Sequence, residues 1–348
     1  MTQWLTTPAT APCEQSRQQA ISRQQQLTKP PGSLGRLEQL AIDFGGFQKT
    51  DKPQLDNIAI RVFAADHGVA AEGVSAFPQA VTVQMIHNFV AGGAAITVLA
   101  RQQSADFAVV NLGTVEALSK EPEMPTLQNI QLAAGTANFC EQPAMTPEQF
   151  SRALEVGRDS CANAPISLFI GGEMGIGNTT SAAAIFCALL DVEIDDIVGR
   201  GTGVDDAGLQ RKQQAVHKGL ALHINADTGP EQILRCLGGF EIAALVGAYI
   251  GNAQRGVPSL VDGYITTAAA LLACRINPTV SEWLLFSHCS AEAAHALVLK
   301  SMAAKPLIDL DMRLGEGSGA GVAVSLIQSA LLLHTQMATF AEAGVSGG

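Results

Sequence analysis

IAIRVFAADHGVAAEGVSAFP, residues 58–78, carries an apolar, β-leaning run into a turn of small and polar residues, and the recurrence of that unit decides the fold. ISLFIGG leads into EMGIGNTTSAAAIFCALL over 166–190, SLVDG into YITTAAALLAC over 259–274, and WLLFSHCS into AEAAHALVLKSM over 283–302. Strand, turn and Ala-rich helix repeated in this way predict an α/β protein, with a mostly parallel sheet covered by helices on both faces. In such sheets ligands bind beyond the carboxyl ends of the strands, where these turns gather.

Outside the repeats the pattern is less regular. Glu14 to Leu27 reads as a weakly amphipathic helix, Pro30, Pro31 and Gly32 break it, and another helix is predicted to start near Ser33. From Leu112 to Pro165 turn signals dominate, but the Thr-x-x-Gln spacing at 146–149 predicts a capping box opening a helix. The last helix, Gly321 to about His334, is apolar on nearly every side, which predicts burial in the core or against a second subunit, and hence a homodimer.

Composition narrows the partners. The 348 residues are 47% hydrophobic and 15% charged, with 34 glycines and only 5% aromatics, which suits many strand-to-helix turns and close packing. The 21 Lys and Arg against 32 Asp and Glu leave a formal charge of −11, so the chain cannot neutralise a nucleic acid by bulk electrostatics, and a bound phosphate should be a small one. Seven cysteines without a CxxC pair read as reduced thiols. With no leader-like start and no uninterrupted apolar run of membrane-spanning length, a cytoplasmic location is expected, without membrane contact.

Three glycine turns carry the chemistry. In GGEMGIGNTTSAAA, 171–184, glycines open a helix in the arrangement that points backbone N–H groups at an anion; no Gly-Lys-Ser/Thr follows, and Thr180 replaces the third glycine of a dinucleotide fingerprint. VGRGTGVDDAGLQRKQQAV, 198–216, adds a second turn, with Asp205 and Asp206 at a helix start and Lys212 within reach of a phosphate; taken alone, such a lysine is a solvated surface residue. DMRLGEGSGAG, 311–321, matches G-x-G-x-x-A through Gly315, Gly317 and Ala320. It lacks the acidic residue about 20 positions on, and the Glu316 carboxylate would repel a pyrophosphate on the same turn. A glycine-flanked carboxylate suits proton abstraction instead. Asp66, His67, Asp262, His288, Cys289 and Ser290 fall at predicted strand ends; singly each reads as a cap or turn residue, and together they mark one face. No metal site is expected, because His288, Cys289 and His295 offer neither converging directions nor a fourth ligand.

Read in order, LTKPPGSLGRLE, FAADHGVAAEGVSAFPQAVT, GGEMGIGNTTSAAA, GRGTGVDD, LGGFEIAALVGA and DMRLGEGSGAG resemble the nicotinate-nucleotide:dimethylbenzimidazole phosphoribosyltransferase family of cobalamin biosynthesis across almost the whole chain. The resemblance implies a Rossmann-like three-layer domain over 40–315 and a small helical domain from 1–39 with 316–348, working as a homodimer without cofactor or metal. It implies transfer of the phosphoribosyl group of nicotinate mononucleotide to 5,6-dimethylbenzimidazole, giving α-ribazole 5′-phosphate with inversion at C1′. Glu316 matches the catalytic base, Glu173 the carboxylate on the other side of the benzimidazole, and Phe77 and Gln84 the base pocket. Gly175, Gly177, Asn178, Gly201, Thr202, Gly203 and Lys212 match the nucleotide and phosphate region. Asp262, Ser290, Arg313, Leu314 and Gly315 match further nucleotide contacts. Two rivals remain open on the sequence, a nicotinamide-dependent oxidoreductase using the GEGSGA turn and a non-catalytic nucleotide sensor.

Overall fold

Among the residues described by the computed structural model, 3–118, 125–162, 165–201, 203–292 and 294–346, six strands form one parallel sheet. They are β1 (Ile58–Ala65), β2 (Asp106–Gly113), β3 (Leu127–Asn129), β4 (Leu168–Met174), β5 (Ser259–Val261) and β6 (Leu284–Phe286), in the order β3-β2-β1-β4-β5-β6. A short parallel pair, β7 (His288–Cys289) with β8 (Ile308–Asp309), stands beside it. This is the doubly wound order, and the chain reverses its direction of travel across the sheet between β1 and β4, where such folds open a crevice. Register sets the edge: Ala64 pairs with Met174, so β1 and β4 end nearly level, while Val261, the last residue of β5, pairs with Gly171, three positions before the end of β4.

The helices follow in chain order. The first five are α1 (Glu14–Gln26), α2 (Arg36–Gln48), α3 (Ala80–Ala91), α4 (Ala95–Gln102) and α5 (Pro147–Asp159). Next come α6 (Asn178–Leu189), α7 (Ile194–Ile197), α8 (Asp206–His223), α9 (Pro230–Leu237) and α10 (Phe240–Arg255). The last four are α11 (Tyr264–Ile276), α12 (His295–Ser301), α13 (Ser318–Gln336) and α14 (Phe340–Ala343). They cover both faces of the sheet, and small residues set how closely. A Cβ on Gly157 of α5 would stand 1.7 Å from the Ala244 carbonyl of α10, and one on Gly247 of α10 would stand 2.0 Å from that of Leu154. Those two glycines bring α5 and α10 into backbone contact, which is one use of the glycine-rich, aromatic-poor composition.

β1 is buried along its whole length although Arg61 sits in its middle. The guanidinium reaches the strand's end and spends its donors there, 2.5 Å from the Asp106 carboxylate and on the carbonyls of Ile60, Asp106 and Ser160. The capping box at Thr146 forms as predicted, with Thr146 and Gln149 exchanging side-chain-to-backbone bonds at 3.2 and 2.9 Å.

Two boundaries differ from the sequence expectation. The second helix starts at Arg36 rather than near Ser33, because Gly32 and Gly35 hold positive φ and Glu38 accepts the N–H groups of Gly32 and Leu34 while pairing with Lys29 at 2.8 Å. The strand expected at WLLF forms as β6, but the residues after it, expected as a turn, include the short strand β7. Ser287 breaks the run, its hydroxyl donating to the Asp262 carbonyl at 3.0 Å and its own carbonyl accepting from Leu307 and Ile308.

The chain ends meet. Arg23 of α1 donates to the carbonyls of His334 and Thr335 in α13, Gln24 bonds His334, and Thr28 N–H donates to Ala338. α13 buries one face, including Ala323, Val324, Ile327 and Leu331, and leaves Leu332 half exposed. Residues 318–336 and 80–102 are each long and apolar enough to cross a membrane. The second stretch is two helices parted at Gly92 in the left-handed region, and α13 packs on α2 and α4.

Candidate active site

The sheet's carboxyl edge supplies most of the site. β4 carries Glu173 next to its last residue and runs through Gly175 and Gly177 into α6; Asp262 follows β5; β7 leads to Ser290; and the 311–317 turn leads into α13. They close around a cleft lined by Glu173, Gly175, Asn178, Gly201, Asp262, Ser290, Arg313, Leu314, Gly315 and Glu316. Ten of the expected site residues therefore meet in one place.

The 315–317 turn is tightly shaped. Gly315, Glu316 and Gly317 all have positive φ, at 85°, 65° and 87°, a conformation that costs a non-glycine residue about 1 kcal/mol or more. The turn presses on β4, where a Cβ on Gly172 would lie 2.3 Å from the Glu316 carbonyl oxygen. The pressure aims Glu316, 7% exposed, into the cleft beside Glu173. Glu173 Oε2 accepts from Asn178 Nδ2, and Oε1 accepts weakly from the Glu316 N–H at 3.4 Å.

Burial dominates the electrostatics. It pushes Glu173 up to about 8, helped by the charges of Glu241 and Asp262. Glu316 rises to about 7 through burial and then Asp262. Burial also raises Asp262, opposed by His288 and by backbone N–H groups of α13. A carboxyl held near 7 is poised to exchange a proton at neutral pH.

The cationic side lies next to this. Lys212 of α8 is 2% exposed, and its Nζ donates to Thr179 Oγ1 at 2.9 Å beneath the Gly201 turn. Burial lowers it to about 8, opposed by Glu292. An ammonium has three donors, and here one is spent on a hydroxyl. α6, which begins at the cleft with no acidic residue in its first turn and no side-chain cap, aims its positive end the same way. α13 differs, because the Asp262 carboxylate already accepts the N–H groups of Gly317 and Ala320 at 3.2 and 2.8 Å. The GEGSGA turn therefore has no free N–H cradle for a pyrophosphate.

Other expected residues stand outside the lining. Gly203 borders an adjoining groove with Gly201 and Arg313, and Gly177 packs on His67. Thr202 lies outside the described residues. Phe77, 49% exposed, and Gln84, also exposed, are not brought to the cleft; their segment borders it through Thr82, whose Oγ1 accepts the Ile176 N–H at 3.4 Å. Asp66 serves as a brace, accepting from Thr82 Oγ1 and Val115 N–H, and His67 pairs with Glu241 at 2.6 Å. Both nitrogens of His295 are engaged, by Ser290 N–H and Thr267 Oγ1. Sequence reasoning missed Thr179 and Glu241. A lone acid in the apolar run FEIAALVGA was the available signal for Glu241.

The chain resembles known proteins along almost its whole length. A family model described as phosphoribosyltransferase matches residues 9–345. The chain is 56% identical over 346 residues to the nicotinate-nucleotide–dimethylbenzimidazole phosphoribosyltransferase of Xanthomonas euvesicatoria pv. vesicatoria, covering 99% of this chain and 98% of that one. It is 55% identical to that of Pseudomonas aeruginosa, covering 95% of each. The crystal structure of CobT from Thermus thermophilus superposes with a TM-score of 0.91 at 44% identity, over 96% of this chain and all of that one.

Proposed function

Because this chain belongs to the nicotinate-nucleotide:dimethylbenzimidazole phosphoribosyltransferase family, and so is a phosphoribosyltransferase of cobalamin biosynthesis, we propose that it moves the phosphoribosyl group of nicotinate mononucleotide onto 5,6-dimethylbenzimidazole with inversion at C1′. The products are α-ribazole 5′-phosphate and nicotinate. The observation that carries the reading is the Glu316 carboxyl, held near 7 by burial in a cleft, with a buried, under-used lysine directly behind its Thr179 and Gly201 wall.

The donor's pyridinium nitrogen is already cationic at the glycosidic bond, so nicotinate leaves as a neutral ring nitrogen. A benzimidazole nitrogen attacks C1′ from the opposite face; the new C–N bond forms as the old one breaks. Positive charge on the incoming ring acidifies its remaining N–H, and Glu316 takes that proton. Glu173, held neutral near pH 7, faces the base from β4 without adding a second full negative charge. The phosphate is assigned to the Gly175–Gly177 turn, Asn178, the Gly201 to Gly203 turn and Lys212, with Ser290, Arg313, Leu314 and Gly315 along the nucleotide. Phe77 and Gln84 remain proposed base contacts, and the cell's own base is open to related azoles. We also infer a homodimer, to which the half-exposed Leu332 on α13 offers an apolar contact, and a cytoplasmic location. No cofactor enters this reaction scheme.

Glu316→Gln tests the reading. It should retain both substrates with near-normal KM and lose about 10² to 10⁴ in kcat; unchanged kcat would remove Glu316 from the role. The oxidoreductase alternative finds no support at the GEGSGA turn, where Asp262 occupies the N–H groups a dinucleotide would need.

A further inference from the structure

Asp262 follows β5 directly and is 1% exposed, and both oxygens of its carboxylate are already engaged. Oδ2 accepts the Gly317 N–H at 3.2 Å and Oδ1 the Ala320 N–H at 2.8 Å. α13 has no N-cap side chain of its own and no acid in its first turn, so the cap is supplied by a strand end 55 positions away in sequence. Gly317 adjoins Glu316, and Glu316 holds φ 65° between two glycines of positive φ. A non-glycine residue in that region does not stay there unaided; surrounding structure has to impose it.

The carboxylate is itself fixed. The Asp262 carbonyl accepts from the Ser287 hydroxyl at 3.0 Å, and His288 Nδ1 stands 3.9 Å from Oδ1. His288 also seats the first turn of α13, where a Cβ on Gly319 would lie 2.1 Å from Nδ1. A nucleotide phosphate could not take the N–H groups that Asp262 holds, and it would be repelled by the carboxylate.

We infer that Asp262 is a positioning residue for the transfer, clamping the start of α13 so that the Glu316 carboxylate projects into the cleft, rather than the nucleotide contact that the family resemblance implies. The inference rests on Glu316 acting as the base. Its charge adds a second effect, since Asp262 disfavours ionisation of Glu316. The other charged groups around the Glu316 turn are Glu173 from β4, Arg313 from the turn itself, His288 from β7 and Glu292 beyond it.

Asp262→Asn tests the clamp. The carboxamide has one acceptor oxygen, so one of the two N–H groups faces an NH2 donor and the turn relaxes. A displacement of about 1 Å at a reacting group costs about a hundredfold. The variant should lose about that in kcat with little change in KM for nicotinate mononucleotide, and the pH midpoint of kcat should move below that of the wild type. A raised KM with kcat and midpoint unchanged would overturn the clamp in favour of a nucleotide contact. If the variant does not fold, amide hydrogen exchange on the substrate-free wild type decides: Gly317 and Ala320 should already be protected, and protection that appears only after adding nicotinate mononucleotide would overturn it. Glu316→Gln separates the two claims. An inactive Glu316→Gln beside a fully active Asp262→Asn removes the clamp alone, whereas an active Glu316→Gln removes the base on which it depends.

Discussion

Glu173 shows what a single buried carboxyl costs the fold. Its folded-state value of about 8 lies above the ordinary 4.5, so the folded protein prefers it neutral. That contribution to stability is fully present below about 4.5 and is lost as pH rises through about 8, at about 1.4 kcal/mol per pH unit in between. Glu173→Gln has no proton to lose. Its melting temperature should gain on the wild type as pH is raised from about 5 to about 8, and a constant difference across that range would show that Glu173 does not titrate as described. At this scale the sequence was informative where backbone and side chain announce the same thing. Glu316 between two glycines reads, from the order of residues alone, as a carboxylate set on a special turn. Asp262 did not read so, because its partners, Gly317 and Ala320, are far away in sequence and a carboxylate after a strand fits capping and ligand contact equally well.

At the scale of elements, the site depends on α13 beginning hard against β4. Gly172 permits the approach, and an added Cβ would meet the Glu316 carbonyl at 2.3 Å, a backbone atom that cannot swing aside. Gly172→Ala should destabilise the protein by about 1–3 kcal/mol in urea unfolding and lower kcat at least tenfold. Full activity would mean that the contact between strand and turn does not set the base's position. Periodicity made β1, β4 and the capped α5 readable to within a residue or two, because each is long or has a local cap. The short strand β7 after WLLF was not readable. Ser287 leaves the main sheet to meet the Asp262 carbonyl and residues 307–308, and no local pattern reports that.

In the whole molecule, strand order places the chemistry. The site gathers at the carboxyl ends of β4 and β5: the glycine turns after β4 and before α8 supply its cationic side, and Glu173 of β4, Asp262 after β5 and Glu316 of the last turn before α13 supply its acids. Helices α1 and α13 meet through Arg23 and His334, so segments near the two ends of the chain brace the element that starts just after Glu316. This joining of ends was legible only through the family resemblance, since nothing local in either helix names the other. Incubating the protein with nicotinate mononucleotide and 5,6-dimethylbenzimidazole, and determining the mass and anomeric configuration of the product, tests the proposed transfer most directly. One nicotinate released per α-configured ribazole 5′-phosphate is the expected result. A β-configured product, or ribose 5′-phosphate formed by hydrolysis alone, would contradict in-line attack with Glu316 as the base.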